Sequence, residues 1–202
     1  MAEDVLTLLE KSGCYAYVLL LNPPEELHRK INKVKEKFAR DLKTLPAHNL
    51  ARITLAKFIT SQMNEQRIVN SLQHTAMGIT PFKVELKDFG SFPTHTIYIN
   101  VTTKLPVQNL VKKIKQAQSL MKAHKEFKPH FIEEPNINIS GKLKPWQYEK
   151  AWLQYSNLNF TGRFIADNML LIRRSLAVGK YEVIKRFAFQ DLPVLTKQGD
   201  LF

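Results

Sequence analysis

The sequence carries one pattern twice, and that repetition limits what it can fold into. Leu27, Ile31, Val34 and Phe38 stand at offsets 0, 4, 7 and 11, and Leu110, Ile114, Ala117 and Met121 repeat those offsets. Each set describes the apolar stripe of an amphipathic helix. Leu27 precedes Arg52 by 25 residues and Leu110 precedes Asn136 by 26. At both places a short stretch of alternating polar and apolar residues begins. Ala51 to Lys57 puts Arg52 and Thr54 on one strand face with Ile53 and Leu55 on the other; Pro135 to Lys142 sets Asn136, Asn138 and Ser140 against Ile137 and Ile139. Each half therefore reads strand, helix, strand in nearly one register. The expectation is an α+β fold of two pseudo-symmetric lobes, each a mostly antiparallel sheet backed by helices, with a cleft between them. The repeat spans approximately 15–78 and 94–156, and with no low-complexity linker 1–202 reads as a single bilobal domain.

The remaining elements follow from periodicity and punctuation. Cys14 to Leu21 is a continuous apolar run ended by Asn22-Pro23-Pro24, the pattern of a central strand. Pro24, then Glu25 and Glu26, open the first helix, with Lys33, Lys35, Lys37 and Arg40 assigned to its wet side and end. A second helix runs from about Asn64 to Met77 and stops at Gly78. Phe82, Val84 and Leu86 alternate with charged residues as a half-wet strand, which Phe89 to Pro93 should break. Thr96 to Val101 reads as a strand, Pro106 opens a third helix, and Pro145 opens a fourth with Tyr148, Ala151, Trp152 and Tyr155 inward. Three short strands, Phe160 to Ala166, Met169 to Arg174 and Tyr181 to Phe189, complete the sheets.

Composition narrows the function classes. Thirty Lys plus Arg against eighteen Asp plus Glu give +12, a field that attracts phosphates and nucleic acid. Cys14 is the single cysteine, which excludes intrachain disulfides and thiolate metal sites and fits a reducing cytoplasm. The run Tyr15 to Leu21 is too short to span a bilayer, and Met1 to Gly13 is acidic where a signal peptide is basic. The expectation is an unexported cytoplasmic protein with no membrane span. No His-x-x-x-His motif, glycine-rich phosphate loop or Gly-x-Ser-x-Gly elbow occurs, so neither a metal nor a cofactor is expected.

The stretches Arg52-Ile53-Thr54-Leu55 and Asn136-Ile137-Asn138-Ile139 resemble, in their placement, the paired signature motifs of the two-histidine phosphoesterase superfamily. That superfamily contains 2′-5′ RNA ligase-like proteins and cyclic phosphodiesterases. The flanks agree: an apolar strand ending in Asn22-Pro23-Pro24-Glu25-Glu26-Leu27, Phe82 to Phe92 with its Phe-Gly-Ser-Phe end, Pro135 before the second motif and Gly141-Lys142 after it. The resemblance covers roughly Tyr15 to Phe189. It implies a His-x-Thr or His-x-Ser motif on a strand of each lobe, the histidines acting as general base and acid and the hydroxyls holding phosphate oxygens. Here Arg52 and Asn136 stand where the histidines belong, and only Thr54 matches the motif. A guanidinium stays protonated and a carboxamide does not titrate near neutrality, so no catalytic residue is assigned. Each lost proton-transfer role forfeits about 10²–10⁴-fold in rate.

Binding chemistry survives. Arg52 is a forked donor for phosphate, and Thr54, Asn136, Asn138 and Ser140 are neutral hydrogen-bonding groups. Lys142, six residues after Asn136, should point into the cleft; Lys57, five after Arg52, should point away. The expected phosphate-binding set is therefore Arg52, Thr54, Asn136, Asn138, Ser140 and Lys142. The resemblance implies a catalytically degenerate 2′-5′ RNA ligase-like protein whose partner is a phosphate-bearing small molecule or an RNA end. Three other readings compete: a closed cleft with Arg52 paired to a carboxylate and the asparagines bonded to one another; an active phosphodiesterase using His48 or His130; and a protein-interaction scaffold using Lys33, Lys35 and Lys37. The aromatics Tyr15, Tyr17, Trp146, Trp152 and Tyr155 read as core, with Tyr155 beside Arg163 the one candidate for a cleft-edge exception.

Overall fold

The computed structural model describes residue 9 and residues 12–44, 51–124, 126–176 and 179–192. Two antiparallel sheets organise them. The first contains β1 (Cys14–Leu21), β2 (Ile53–Ser61), β5 (His130–Phe131), β8 (Asn168–Arg174) and β9 (Glu182–Ala188) in the order β5-β2-β1-β8-β9. The second contains β3 (Phe82–Phe92), β4 (Thr96–Val101), β6 (Asn136–Asn138) and β7 (Thr161–Ala166) in the order β6-β4-β3-β7. Helices α1 (Glu25–Asp41), α2 (Glu65–Met77), α3 (Lys104–Ile114) and α4 (Pro145–Tyr155) connect them. In each sheet a strand, a helix and a second strand pair antiparallel, β1-α1-β2 in one and β4-α3-β6 in the other. The orders β2-β1-β8-β9 and β6-β4-β3-β7 then correspond strand for strand. This is the α+β architecture of two similar lobes that the repeat predicts.

The helix-facing sides of both sheets belong to one buried cluster, joining Leu19 and Leu21 of β1 to Ile97 and Ile99 of β4 and to Ile31, Leu72 and Ile114 of the helices. Each such side chain contributes about 1.5–3 kcal/mol when removed from water. A smaller cluster, Val18, Leu20, Leu170 and Ile172, lies on the other face of the first sheet. The alternation along β1 therefore supplies two buried surfaces rather than one.

Several local readings change. Lys35 is only 4% exposed, not on the wet side of α1. Burial pushes its ammonium down to about 8. Phe89 to Phe92 continue β3 instead of breaking it. The ladder with β4 slips between Leu86 and Phe89, where Asp88 takes φ 54, and then resumes. Gly90 is required there, because a Cβ would come within 2.5 Å of both Asn100 Oδ1 and the Tyr98 ring. Helix α3 starts at Lys104, two residues before Pro106, whose missing N–H costs nothing in a first turn. It ends at Ile114, so Ala117 lies in a separate 3₁₀ turn, Lys115–Ala117. Tyr155 is core, not cleft edge: it is 1% exposed, packs edge-on against Phe38 and Phe89, and its hydroxyl donates to Asp41 Oδ2 at 3.1 Å.

Candidate functional site

A groove of about 630 Å³ lies between the two sheets, within the usual range for ligand sites. One wall is the face of the first sheet opposite the core. Its geometry follows from two rows of cross-strand neighbours. Thr54, Leu20 and Leu170 form one, and His130, Lys57, Val18 and Ile172 form the next. Thr54 and Lys57 are three residues apart, an odd offset that would place them on opposite faces of a regular strand. A bulge resolves this. Leu19 lies opposite Ala56 and Leu20 opposite Thr54, leaving Leu55 as the extra residue. Its carbonyl accepts from the Ile132 N–H at 2.9 Å, so the segment after β5 occupies the position the ladder leaves open. Lys57 is consequently turned into the groove, correcting the expectation from strand parity.

Arg52 precedes β2 and lines the same groove. It is half-buried, and desolvation pulls its guanidinium below its ordinary range. Its Nε is buried with no hydrogen-bond partner, and none of the ion pairs among the described residues includes it. The closed-cleft arrangement, with Arg52 held by a carboxylate, is thus not the one observed there. His28 on α1 lies within electrostatic reach. Burial lowers its pKa most, then the Arg52 charge; the Glu25 carboxylate opposes them and Lys35 adds a smaller lowering. Its Nδ1 meets Asn32 Nδ2 at 3.3 Å while Nε2 is buried and unpartnered. Asn22, whose Oδ1 is also unpartnered, immediately follows the Leu21–Ile53 pair, so the end of the β1–β2 ladder is unusually rich in unsatisfied polar atoms.

The opposite wall comes from the second sheet. Asn138 pairs with Tyr98 and Asn136 with Asn100 across β6 and β4, and both asparagines line the groove. Asn136 Nδ2 donates to the Glu134 carbonyl at 2.8 Å, and Asn138 Oδ1 is buried without a partner. The two are not hydrogen-bonded to each other. Glu133 and Glu134 also line the groove, but their charges are engaged by Lys115 at 2.9 Å and Lys104 at 2.7 Å. The Lys115 hydrogen bond holds the Glu133 carboxyl below its usual range. Arg52 and Lys57 have no such ion-pair partner among the described residues, so the groove favours anions.

Four of the six expected residues, Arg52, Thr54, Asn136 and Asn138, therefore meet in one place. Ser140 and Lys142 do not line it. Strand β6 ends at Asn138, and the Ile139 and Ser140 N–H groups both turn to the Ile97 carbonyl, which ends the alternation. Ser140 is 3% exposed, and its hydroxyl accepts from the Ile97 N–H at 3.0 Å, a structural bond. Lys142 is exposed outside the groove. Among the residues the sequence did not select for the site, Val18, Leu20, Phe92 and Tyr181 also line the groove. His130, weighed as a shifted motif, lines the groove from β5 opposite Lys57. His48 lies outside the described residues. Among the described residues no cluster of three or more metal-ligating side chains occurs, and no helix is long and apolar enough to cross a membrane.

Two antiparallel sheets with matching connectivity, and a polar groove between their β1–β2 and β4–β6 edges, define a two-lobed α+β class with a shared central site. The family model of the 2′-5′ RNA ligase superfamily matches residues 23–177, and the chain belongs to that superfamily. Solved structures agree in fold. Escherichia coli LigT complexed with ATP superposes with a TM-score of 0.61 at 18% identity, covering 87% of this chain and 98% of LigT. LigT complexed with 3′-AMP gives 0.59 at 17% identity over the same shares. TT0787 of Thermus thermophilus gives 0.56 at 14% identity, again covering 87% and 98%. No curated protein matches the sequence.

Proposed function

We propose that this chain is a catalytically degenerate member of its superfamily, with Arg52 and Asn136 standing where the two catalytic histidines would be, and that the groove holds a phosphate-bearing ligand such as a nucleotide or an RNA end. The observation that carries this reading is Arg52: a half-buried guanidinium, its Nε unsatisfied, aimed at a groove in which no carboxylate among the described residues takes its charge. A buried charge without a partner is costly, and an arriving phosphate removes the cost by forming charge-assisted hydrogen bonds. Thr54 and Lys57 complete the donor side, and Asn138 offers its amide from the opposite wall. LigT has been crystallised with 3′-AMP, with ATP and with phosphate, which supports the class of ligand. The whole chain acts as one bilobal unit, and the buried thiol of Cys14, its pKa raised by burial, suits a reducing cytoplasm.

Calorimetric titration at low ionic strength with phosphate, AMP, ATP and a short RNA tests the proposal. Binding that falls about tenfold or more in Arg52→Gln is expected, since bonds to a charged group contribute about 1.5–3 kcal/mol. Absence of binding by all four would end it.

A second reading rests on His130, an imidazole opposite Lys57 in the groove, which could serve an active phosphodiesterase. Turnover of 2′,3′-cyclic nucleotides or 2′-5′-linked RNA by the unaltered protein, lost in His130→Ala, would establish it. The preferred reading expects no turnover until Arg52→His and Asn136→His are introduced together.

A further inference from the structure

Strand β7 is an outer strand of the second sheet, with β3 as its ladder partner. The backbone of β3 settles which way its polar groups point. Glu85 lies opposite Arg163, yet its carbonyl accepts from the Thr102 N–H at 2.9 Å and its N–H donates to Thr103 Oγ1 at 3.0 Å, both on the β4 side. Glu85 and Arg163 are therefore a non-hydrogen-bonded pair, and Arg163 turns its own N–H and C=O outward. Backbone direction alternates along a strand, so Thr161 and Ile165 do the same. Two contacts agree: the Phe160 carbonyl accepts from the Asp88 N–H at 2.7 Å, towards β3, and the next carbonyl, that of Thr161, takes Lys30 Nζ from α1 instead. At the other end the Asp167 carbonyl accepts from the Phe189 N–H at 2.8 Å. Between these stops, the outward N–H and C=O groups of Arg163 and Ile165 have no partner among the described residues.

An open edge is a template for another strand. The other edges of the two sheets are poorer ones. Strands β5 and β6 have two and three residues, and β9 carries Glu182, Lys185 and Arg186 in seven. Strand β7 has Arg163 as its one charge in six residues and leaves Ile165 59% exposed. The face that an added strand meets is basic. Thr161, Arg163 and Ile165 lie opposite Lys87, Glu85 and Lys83, and the one carboxylate of this set, Glu85, is taken by Lys83 at 2.5 Å. No ion pair among the described residues includes Arg163 or Lys87. Both line a hollow of about 410 Å³ beside Gly162, which leaves room for incoming side chains. A second copy of the chain is a poor fit here. Antiparallel pairing centred on Arg163 sets two guanidiniums directly opposite each other, and like charges so placed are destabilising. A strand carrying carboxylates is the complement.

We infer that β7 is a docking edge for an extended acidic segment of another protein, which adds to the second sheet as a fifth strand, antiparallel like the other pairs in that sheet. The partner residue opposite Arg163 is Glu or Asp. It exchanges two main-chain hydrogen bonds with Arg163 while its carboxylate meets the guanidinium, and the residue opposite Ile165 is apolar. Lys87 takes a second carboxylate at the Thr161 end. The edge is separate from the groove: β3 and β4 stand between β7 and β6, the strand of Asn136 and Asn138, three inter-strand spacings or about 14 Å away. Docking there does not depend on the phosphate-binding reading.

Fluorescence anisotropy with the fluorescein-labelled peptide Thr-Val-Thr-Glu-Thr-Glu-Thr tests this, its Val placed for Ile165, its first Glu for Arg163 and its second for the Lys87 side. The peptide should bind, and Arg163→Glu should weaken it about 10- to 150-fold, the range for lost bonds to a charged group. A peptide with Lys in place of the first Glu should reverse the order and prefer Arg163→Glu. N-methylation of the Val or of the first Glu, whose N–H groups face β7, should cost about tenfold or more, and N-methylation of the Thr between them, whose N–H faces away, should cost little. Ile165→Pro removes an outward donor that an edge strand can spare, so it should lose the peptide and keep the melting temperature. Failure of the acidic peptide to bind overturns the inference. So does indifference to which residue is N-methylated, or to peptide charge. A concentration-dependent dimer of the unaltered protein in sedimentation, lost in Ile165→Pro, overturns it as well and assigns the edge to a second copy.

Discussion

Leu20 lies opposite Thr54 across the β1–β2 ladder, one residue out of step with the pairing of Leu19 and Ala56. That slip turns Lys57 into the groove, while the end of β6 at Asn138 leaves Lys142 out of it. Lys57 is inside and Lys142 outside. Lys57→Ala should lower phosphate affinity by about threefold to tenfold, as expected for removal of one partly solvated charge contact. Lys142→Ala should leave it unchanged. Titration of the two variants at one salt concentration checks both statements, and equal losses would contradict the assignment.

Arg52 should be worth more to binding than to folding. Its guanidinium is partly desolvated without an ion-pair partner among the described residues, so Arg52→Met is expected to leave the melting temperature unchanged or raise it, while phosphate binding is lost. A clear fall in Tm would mean that the side chain holds the fold together.

Ser140 should behave in the opposite way. Its hydroxyl accepts from the Ile97 N–H and is 3% exposed. Ser140→Ala leaves that buried donor unsatisfied and should cost about 1–3 kcal/mol. Chemical denaturation would register it, and ligand affinity measured on the folded protein should be preserved.

Lys35 makes stability depend on alkaline pH. Its folded-state pKa is about 8 against an ordinary 10.5. Below pH 8 both folded and unfolded chains carry the proton, and the folded one bears the cost of burying it. Between about 8 and 10.5 the unfolded chain keeps the proton that the folded chain has lost, so stability rises with pH across that window. Lys35→Met should therefore stabilise the protein at pH 7, on the order of 1–3 kcal/mol, and remove this alkaline gain. Denaturation midpoints at pH 7 and pH 10 for both forms measure it.

Much of the fold was legible because its signals are local. The apolar run of β1, the stripe of α1 and the alternation in β3 each state a face, and the repeated spacing from helix to strand states that two sheets share one plan. Arg52 and Thr54 were legible for the same reason. Lys57 and Lys142 were misplaced because parity assumes an uninterrupted ladder, and both strands depart from one: β2 by the extra Leu55, β6 by ending at Asn138. Lys35 was misplaced because a helical stripe predicts which side chains face inward but not how far the neighbouring turn is covered. Tyr181 carries no motif. Its position depends on the pairing of β8 with β9 and of β8 with β1, which joins residues more than a hundred positions apart.

That same long-range pairing governs how the molecule is made. Strand β1 is hydrogen-bonded on one side to β2 and on the other to β8, with Leu20 meeting both Thr54 and Leu170. During synthesis the first partner, β2, emerges early and the second, β8, begins at Asn168, more than a hundred residues after β2 ends at Ser61, so one edge of β1 waits through that interval. A fold with so large a contact order is slow to close. Its open strand edge is also the surface on which a nascent chain is most exposed to mispairing, and hence the place where a chaperone would be most useful.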